Sequence, residues 1–221
     1  MPRTAHIHHA MQILVTRFHL LLLTVTLALT GVGLFRIPAD FLFPAHWAGS
    51  AADWLWPRNA MLVAPIIQAV LLVAFFALGK SLTKNHYAKT QHIFDPMLTF
   101  LMLLVAACQL GMLLTGIGSD LDFIRVTGFG LGGALLLVAV VLFEAERHTY
   151  AGLRMPWPIR TDNAWRLVHR VAGIAFGLAA IGLAMLAWLD AGAGMLVLAY
   201  AAAVLIPPVL AGLATLATRR H

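Results

Sequence analysis

Residues 123–143 read FIRVTGFGLGGALLLVAVVLF. The stretch has 21 residues and one charge, Arg125. Wound as an α-helix at ~1.5 Å per residue it would be roughly 32 Å long, enough to cross the ~30 Å hydrocarbon layer of a bilayer. Its apolar residues form one block, which is the signature of a membrane span.

Similar blocks flank it on both sides. Residues 13–35, 59–79, 97–118, 167–189 and 193–217 are also long and apolar enough to span. Composition agrees: of 221 residues, 61% are hydrophobic and 11% charged. A water-soluble domain carries about 25% charged residues. The expected fold is all-α, a polytopic bundle of six transmembrane helices forming one membrane domain over residues 1–221. The first run reads as an uncleaved signal anchor. Short turns at 119–122 and 190–192 should make spans three and four, and spans five and six, antiparallel neighbours.

With the amino terminus inside, Arg3, Arg17, Lys80, Lys84, Lys89, Arg147, Arg154, Arg160, Arg166, Arg170, Arg219 and Arg220 all fall on the inner side. Only Arg36, Arg58 and Arg125 fall outside. Such a bias predicts that both termini are cytoplasmic. It also accounts for the net charge of +6, because the basic residues sit beside spans. A direct nucleic-acid partner is therefore not expected, and the primary partner is the lipid bilayer.

Small residues repeat at packing intervals. Gly128 and Gly132, and Gly173 and Gly177, form G-x-x-x-G pairs that let helix backbones approach closely. Pro65 and Pro207-Pro208 should bend or break their spans.

Candidate chemistry is sparse. Cys108 is the only cysteine, which excludes an intramolecular disulfide and a cysteine-based zinc site. A b-type cytochrome needs histidines facing each other across helices. Here His46, His86, His92 and His148 read as loop residues, His169 as a helix end, and only His19 lies near a span interior. His46, Asp40 and Asp53 could at most form a partial metal site. No cofactor and no metal are expected. No nucleophile–base pair, carboxylate pair or phosphate loop is visible, so an enzyme is not expected either. Gln68 and Gln109 are the clearest deep polar residues. With Pro65 they could line a cavity, which leaves a small-molecule or ion transporter as the alternative function.

Two connections are long for a compact domain and hint at function. The outer one, 36–58, contains Pro44, His46, Trp47, Gly49, Asp53 and Arg58. The inner one, 144–166, contains Gly152, Arg154, Pro156 and Trp157, and leads into Trp165, His169, Arg170 and Gly173. Asp162 should cap span five. Trp165, His169 and Gly173 recur every four residues and so share a helix face. Arg170, one step round, should reach Glu144 or Glu146.

The order Gly152, Arg154, Pro156, Trp157, Trp165, His169, Arg170, Gly173 resembles the signature of SdpI-family membrane proteins. Pro44, His46, Trp47, Gly49, Asp53 and Arg58 resemble that family's companion motif. The resemblance implies an immunity protein of the bacterial plasma membrane that protects against a secreted, membrane-active peptide toxin. It implies further that some members signal by holding a cytoplasmic transcriptional repressor at the membrane. On this reading the outer motif would meet the toxin.

Overall fold

A computed structural model describes residues 14–48, 51–145, 159 and 161–218. Its helices are α1 (Arg17–Arg36), α2 (Val63–Ser81), α3 (Lys84–Gly116), α4 (Phe123–Phe143), α5 (Asp162–Trp188) and α6 (Ala193–Thr218). A hairpin of β1 (Leu42–Ala48) and β2 (Ala51–Pro57), then a 3₁₀ turn (Arg58–Leu62), separates α1 from α2. Six stretches within these helices are long and apolar enough to cross a membrane. Only about a third or less of each is buried inside the protein, and the outward side chains include Val73, Leu137 and Leu178. An apolar exterior of this extent is stable against lipid and not against water. The protein is a multi-pass, all-α membrane protein with one small hairpin among the described residues.

The chain forms two compact units: residues 1–41 with 58–117, and residues 42–57 with 118–221. The first contains α1, α2 and α3. Leu22, Leu72, Phe75, Leu98 and Met102 form its apolar core, with Leu14 from the segment before α1. Gly33 admits the Met61 thioether where a Cβ would collide with it. Arg58 donates from Nη1 to the carbonyls of Leu34 and Ile37, at 3.2 and 3.0 Å. It thereby satisfies oxygens that the end of α1 leaves without helical partners.

The second unit is built on close helix packing. A Cβ on Gly173 would lie 2.8 Å from the Ala139 carbonyl, and one on Gly132 would lie 3.3 Å from the Ala180 carbonyl. The glycines thus let α4 and α5 touch through backbone, as their spacing predicts. The Tyr200 hydroxyl of α6 donates to the Ile124 carbonyl of α4. Arg125 donates from Nε to Ala187 O at 2.6 Å and from Nη2 to Trp188 O at 3.1 Å, closing the end of α5. The short turn into α6, with Asp190 and Gly192 at φ 52° and 93°, makes α5 and α6 neighbours as expected.

Several local expectations are corrected. Pro65 is the third residue of α2, in the first turn, where its missing N–H breaks no helical bond. Helix α6 continues through Pro207 and Pro208, so those prolines do not break it. The cap of α5 is Thr161, whose Oγ1 accepts from Ala164 N at 3.2 Å; Asp162 is the first helical residue. His86 and His92 lie within α3 and His46 within β1, not in loops. Helix α3 starts well before the apolar run because helical hydrogen bonding does not require apolar side chains outside the bilayer.

Candidate functional site

The outer connection, expected as a loop, is an antiparallel hairpin. Pro44 pairs with Leu55, His46 with Trp54, and Trp47 with Ala52. The register shifts twice, leaving Ala45 as an extra residue on β1 and Asp53 as an extra residue on β2. Such bulges turn side chains that a regular ladder would hold apart. Asp53 Oδ1 lies 2.6 Å from His46 Nδ1, a charge-assisted hydrogen bond when the imidazole is protonated.

One face of β1 is fixed to α6. Phe43 and Ala45, two residues apart, are both fully buried. Gly192 and Gly194 make room for Ala45: a Cβ on Gly194 would lie 2.5 Å from the Ala45 Cβ. Gly192 also sits at φ 93°, in the region that favours glycine. Outward, Trp47 and Trp54 are each 40% exposed and Leu55 43%. Trp54 meets Trp56 edge-on, ring centroids 5.4 Å apart. The hairpin therefore presents a rigid aromatic surface held by a backbone-close contact.

The residues of the outer motif divide. Pro44, His46, Trp47 and Asp53 share the hairpin of the second unit. Arg58 belongs to the first unit, where it caps α1. Gly49 lies outside the described residues. Asp40 is exposed in the turn before β1, and among the described residues no three metal-ligating side chains cluster.

At the inner motif, the Trp165 and His169 rings stack with centroids 4.1 Å apart and planes 23° from parallel. Trp165 Nε1 donates to the Ala145 carbonyl at 3.2 Å. His169 Nδ1 donates to the Trp165 carbonyl at 2.9 Å, which orients the ring. This stack ties the start of α5 to the chain leaving α4, so it fixes both ends of the connection between them. Arg170 lies over the Phe143 ring, its guanidinium carbon 5.7 Å from the centroid. Among the described residues it makes no ion pair with Glu144; the ion pairs there are His19–Asp95 and His46–Asp53. Of the two expected acidic partners, Glu144 is not paired with Arg170, and Glu146 lies outside the described residues. Gly152, Arg154, Pro156, Trp157 and Glu146 lie outside the described residues. An open cleft of about 290 Å³ beside Gly173 is lined by Ala139, Val140, Phe143, Glu144 and Ile174.

Residues 144–215, from the end of α4 through most of α6, match the SdpI/YfhL protein family. The chain is 25% identical over 146 residues, 65% of this chain and 68% of the relative, to the immunity protein SdpI of Bacillus subtilis (strain 168). No solved structure matches it. The matched region contains the Trp165–His169 stack, Gly173, and Gly192 and Gly194, which seat the hairpin.

Sequence reasoning underweighted a site in the first unit. His19 is fully buried, and its Nδ1 accepts from Thr16 N at 3.0 Å. Its Nε2 is 2.8 Å from Thr99 Oγ1 and 3.7 Å from Asp95 Oδ1. The Thr16–His19 spacing, an N-cap and its third helical residue, was the signal that could have located it. Gln68 and Gln109 also prove to be cross-links. Gln68 Nε2 donates to Met102 O at 2.9 Å, and Gln109 Nε2 to Thr30 Oγ1 at 2.8 Å.

Proposed function

We propose that this protein is an SdpI-like immunity protein of a bacterial plasma membrane, protecting the cell from a membrane-active peptide toxin. The observation that carries the reading is the hairpin. It is seated on α6 through Gly192 and Gly194 and exposes Trp47, Trp54 and Leu55. Rigid aromatic anchors at low entropic cost are what dominate peptide-binding surfaces. Likeness to a relative named as an immunity protein supports the same reading. The hairpin would face outside and both termini the cytoplasm, as the distribution of Lys and Arg directs. Toxin held there would be kept from assembling in the bilayer.

Sensitive bacterial cells expressing the protein, challenged with secreted membrane-active peptides, test the reading. Survival and retained membrane potential should depend on Trp47 and Trp54, with Trp47→Ala and Trp54→Ala reducing protection at unchanged abundance. Protection by both variants equal to the parent would remove the hairpin from the mechanism. Reporter fusions after Lys84 and near Gly49 should read cytoplasm and outside respectively; the reverse would defeat the orientation. The inner motif, from Gly152 to Trp157, would serve a signalling role by holding a cytoplasmic repressor. Loss of membrane recruitment of a repressor by Arg154→Ala, with protection intact, would separate that role from immunity.

A further inference from the structure

The first unit holds its three helices together with buried polar side chains. His19 and Thr26 are fully buried and Thr30 is 4% exposed, all on the one inward face of α1. Opposite them stand Thr99 and Gln109 of α3, and Gln68 of α2. Two of these buried groups are incompletely satisfied. Thr26 Oγ1 and Gln68 Oε1 have no hydrogen-bond partner among the described residues, although both side chains are fully buried. The identity of the open atom on Gln68 is fixed by chemistry. A carbonyl only accepts, so the atom facing Met102 O is the amide nitrogen and the oxygen is the one left over.

The register of the helices sets the two groups at a similar level along the unit. His19 meets Thr99 and Thr30 meets Gln109, so α1 and α3 run parallel at a constant offset. Thr26 is then level with the turn of α3 just beyond Met102. The Met102 carbonyl points toward that turn, because helical carbonyls point to the carboxy-terminal end. It carries the Gln68 amide with it. The remaining axial separation is about one helical turn or less, ~5.4 Å. Two hydrogen bonds of ~2.8 Å in series cover that distance.

We propose that the first unit binds an internal water between Thr26 and Gln68. The water donates to Gln68 Oε1 and exchanges a hydrogen bond with the Thr26 hydroxyl. Two polar partners meet the minimum for a structural water. With it, three polar contacts join α1, α2 and α3: His19 to Thr99, Thr26 through the water to Gln68, and Gln109 to Thr30. The site is independent of the hairpin and of any toxin.

A dry seam and a wet one predict opposite signs. In a dry seam Thr26→Val removes an unpartnered buried hydroxyl at nearly constant shape, and the melting temperature in nanodiscs should hold or rise. With the water present, Thr26→Val strands it and the melting temperature should fall by several degrees, on the order of 2–5 °C. Gln68→Met should fall too, and the double variant should lose less than the sum, since both act through one molecule. Thr24→Val is the control, because the Thr24 hydroxyl bonds the Leu20 carbonyl of its own helix on the exposed side. If a variant fails to fold, the unmodified protein still decides. Water-edited solid-state NMR should transfer magnetisation to the Gln68 side-chain amide as readily as to surface amides. A Gln68 amide silent in that experiment, or a Thr26→Val protein at least as stable as the parent, would overturn the proposal.

Discussion

Replacing Gly194 with Val should release the hairpin from α6. The new Cβ would lie 2.5 Å from the Ala45 Cβ and 2.8 Å from its Cα and carbonyl oxygen. These neighbours are backbone and a methyl group, so none can swing aside, and valine adds two further methyls. Accommodating the branched side chain by shifting a packed backbone costs about 1–3 kcal/mol. The alternative is to lift the hairpin, which re-exposes Phe43 and Ala45. Burial of a large apolar side chain is worth about 1.5–3 kcal/mol, so the two routes are close in free energy. Either way the hairpin opens more easily by about 1–3 kcal/mol, roughly 5- to 150-fold in population. A two-stranded hairpin without a packing face is marginal, so the ladder between β1 and β2 should loosen with it. Hydrogen exchange in nanodiscs, read on peptides covering residues 42–57, should speed up by that factor, while peptides within α4 and α5 stay protected. Gly212→Ala, on the same helix with no atom within 4 Å of its new Cβ, should leave the hairpin unchanged. Parental exchange over 42–57 in a folded Gly194→Val protein would refute the argument that glycine at this position seats the hairpin.

Other substitutions probe the remaining contacts. Arg125→Met should lower the melting temperature, because the Ala187 and Trp188 carbonyls each lose a donor; about 1–3 kcal/mol is expected for the half-buried charged pair of bonds, and a thermal shift in detergent measures it. Trp165→Phe keeps the stack on His169 but loses the bond to Ala145 O, so stability should drop by about 0.5–1.5 kcal/mol, with faster exchange confined to the ends of the 144–166 connection. Arg170→Ala and Glu144→Ala should be additive in thermal unfolding, since Arg170 lies on the Phe143 ring and not on the carboxylate; strong coupling between them would restore the ion pair.

The spans were legible because the bilayer imposes a length and a polarity that no other element mimics. Residues 123–143 and 193–217 need no neighbour to be read. The G-x-x-x-G pairs were legible for a related reason: in lipid, close backbone approach is a main source of helix adhesion, and only small residues allow it. The helix ends were less so. Thr161 and Asp162 are both good caps, and only the backbone conformation of Thr161 decides between them. Pro65 read as a bend because α2 is preceded by a 3₁₀ turn ending in the apolar Ala60, Met61 and Leu62, so the apolar run begins before the α-helix does.

The hairpin was hidden by an ambiguity of tryptophan. Trp47, Trp54 and Trp56 are equally at home in an interfacial belt and on a strand, and both environments are amphipathic. What separates the two is burial of alternate residues on β1, and there the inward residues are Phe43 and Ala45. Alanine gives no apolar contrast against Pro44 and His46, so the period of two disappears from the sequence. The reason for alanine lies about 150 positions away, at Gly192 and Gly194, where the space admits a methyl and little more. The same logic governs the inner motif. Arg170 beside Glu144 reads as an ion pair when only charge and spacing are known. Gly173 draws α4 close enough that the Phe143 ring, not the carboxylate, lies under the guanidinium. In both places a glycine on one helix decides which side chain of a distant segment is met. The contacts of the candidate site residues are therefore set by backbone proximity first and by charge second.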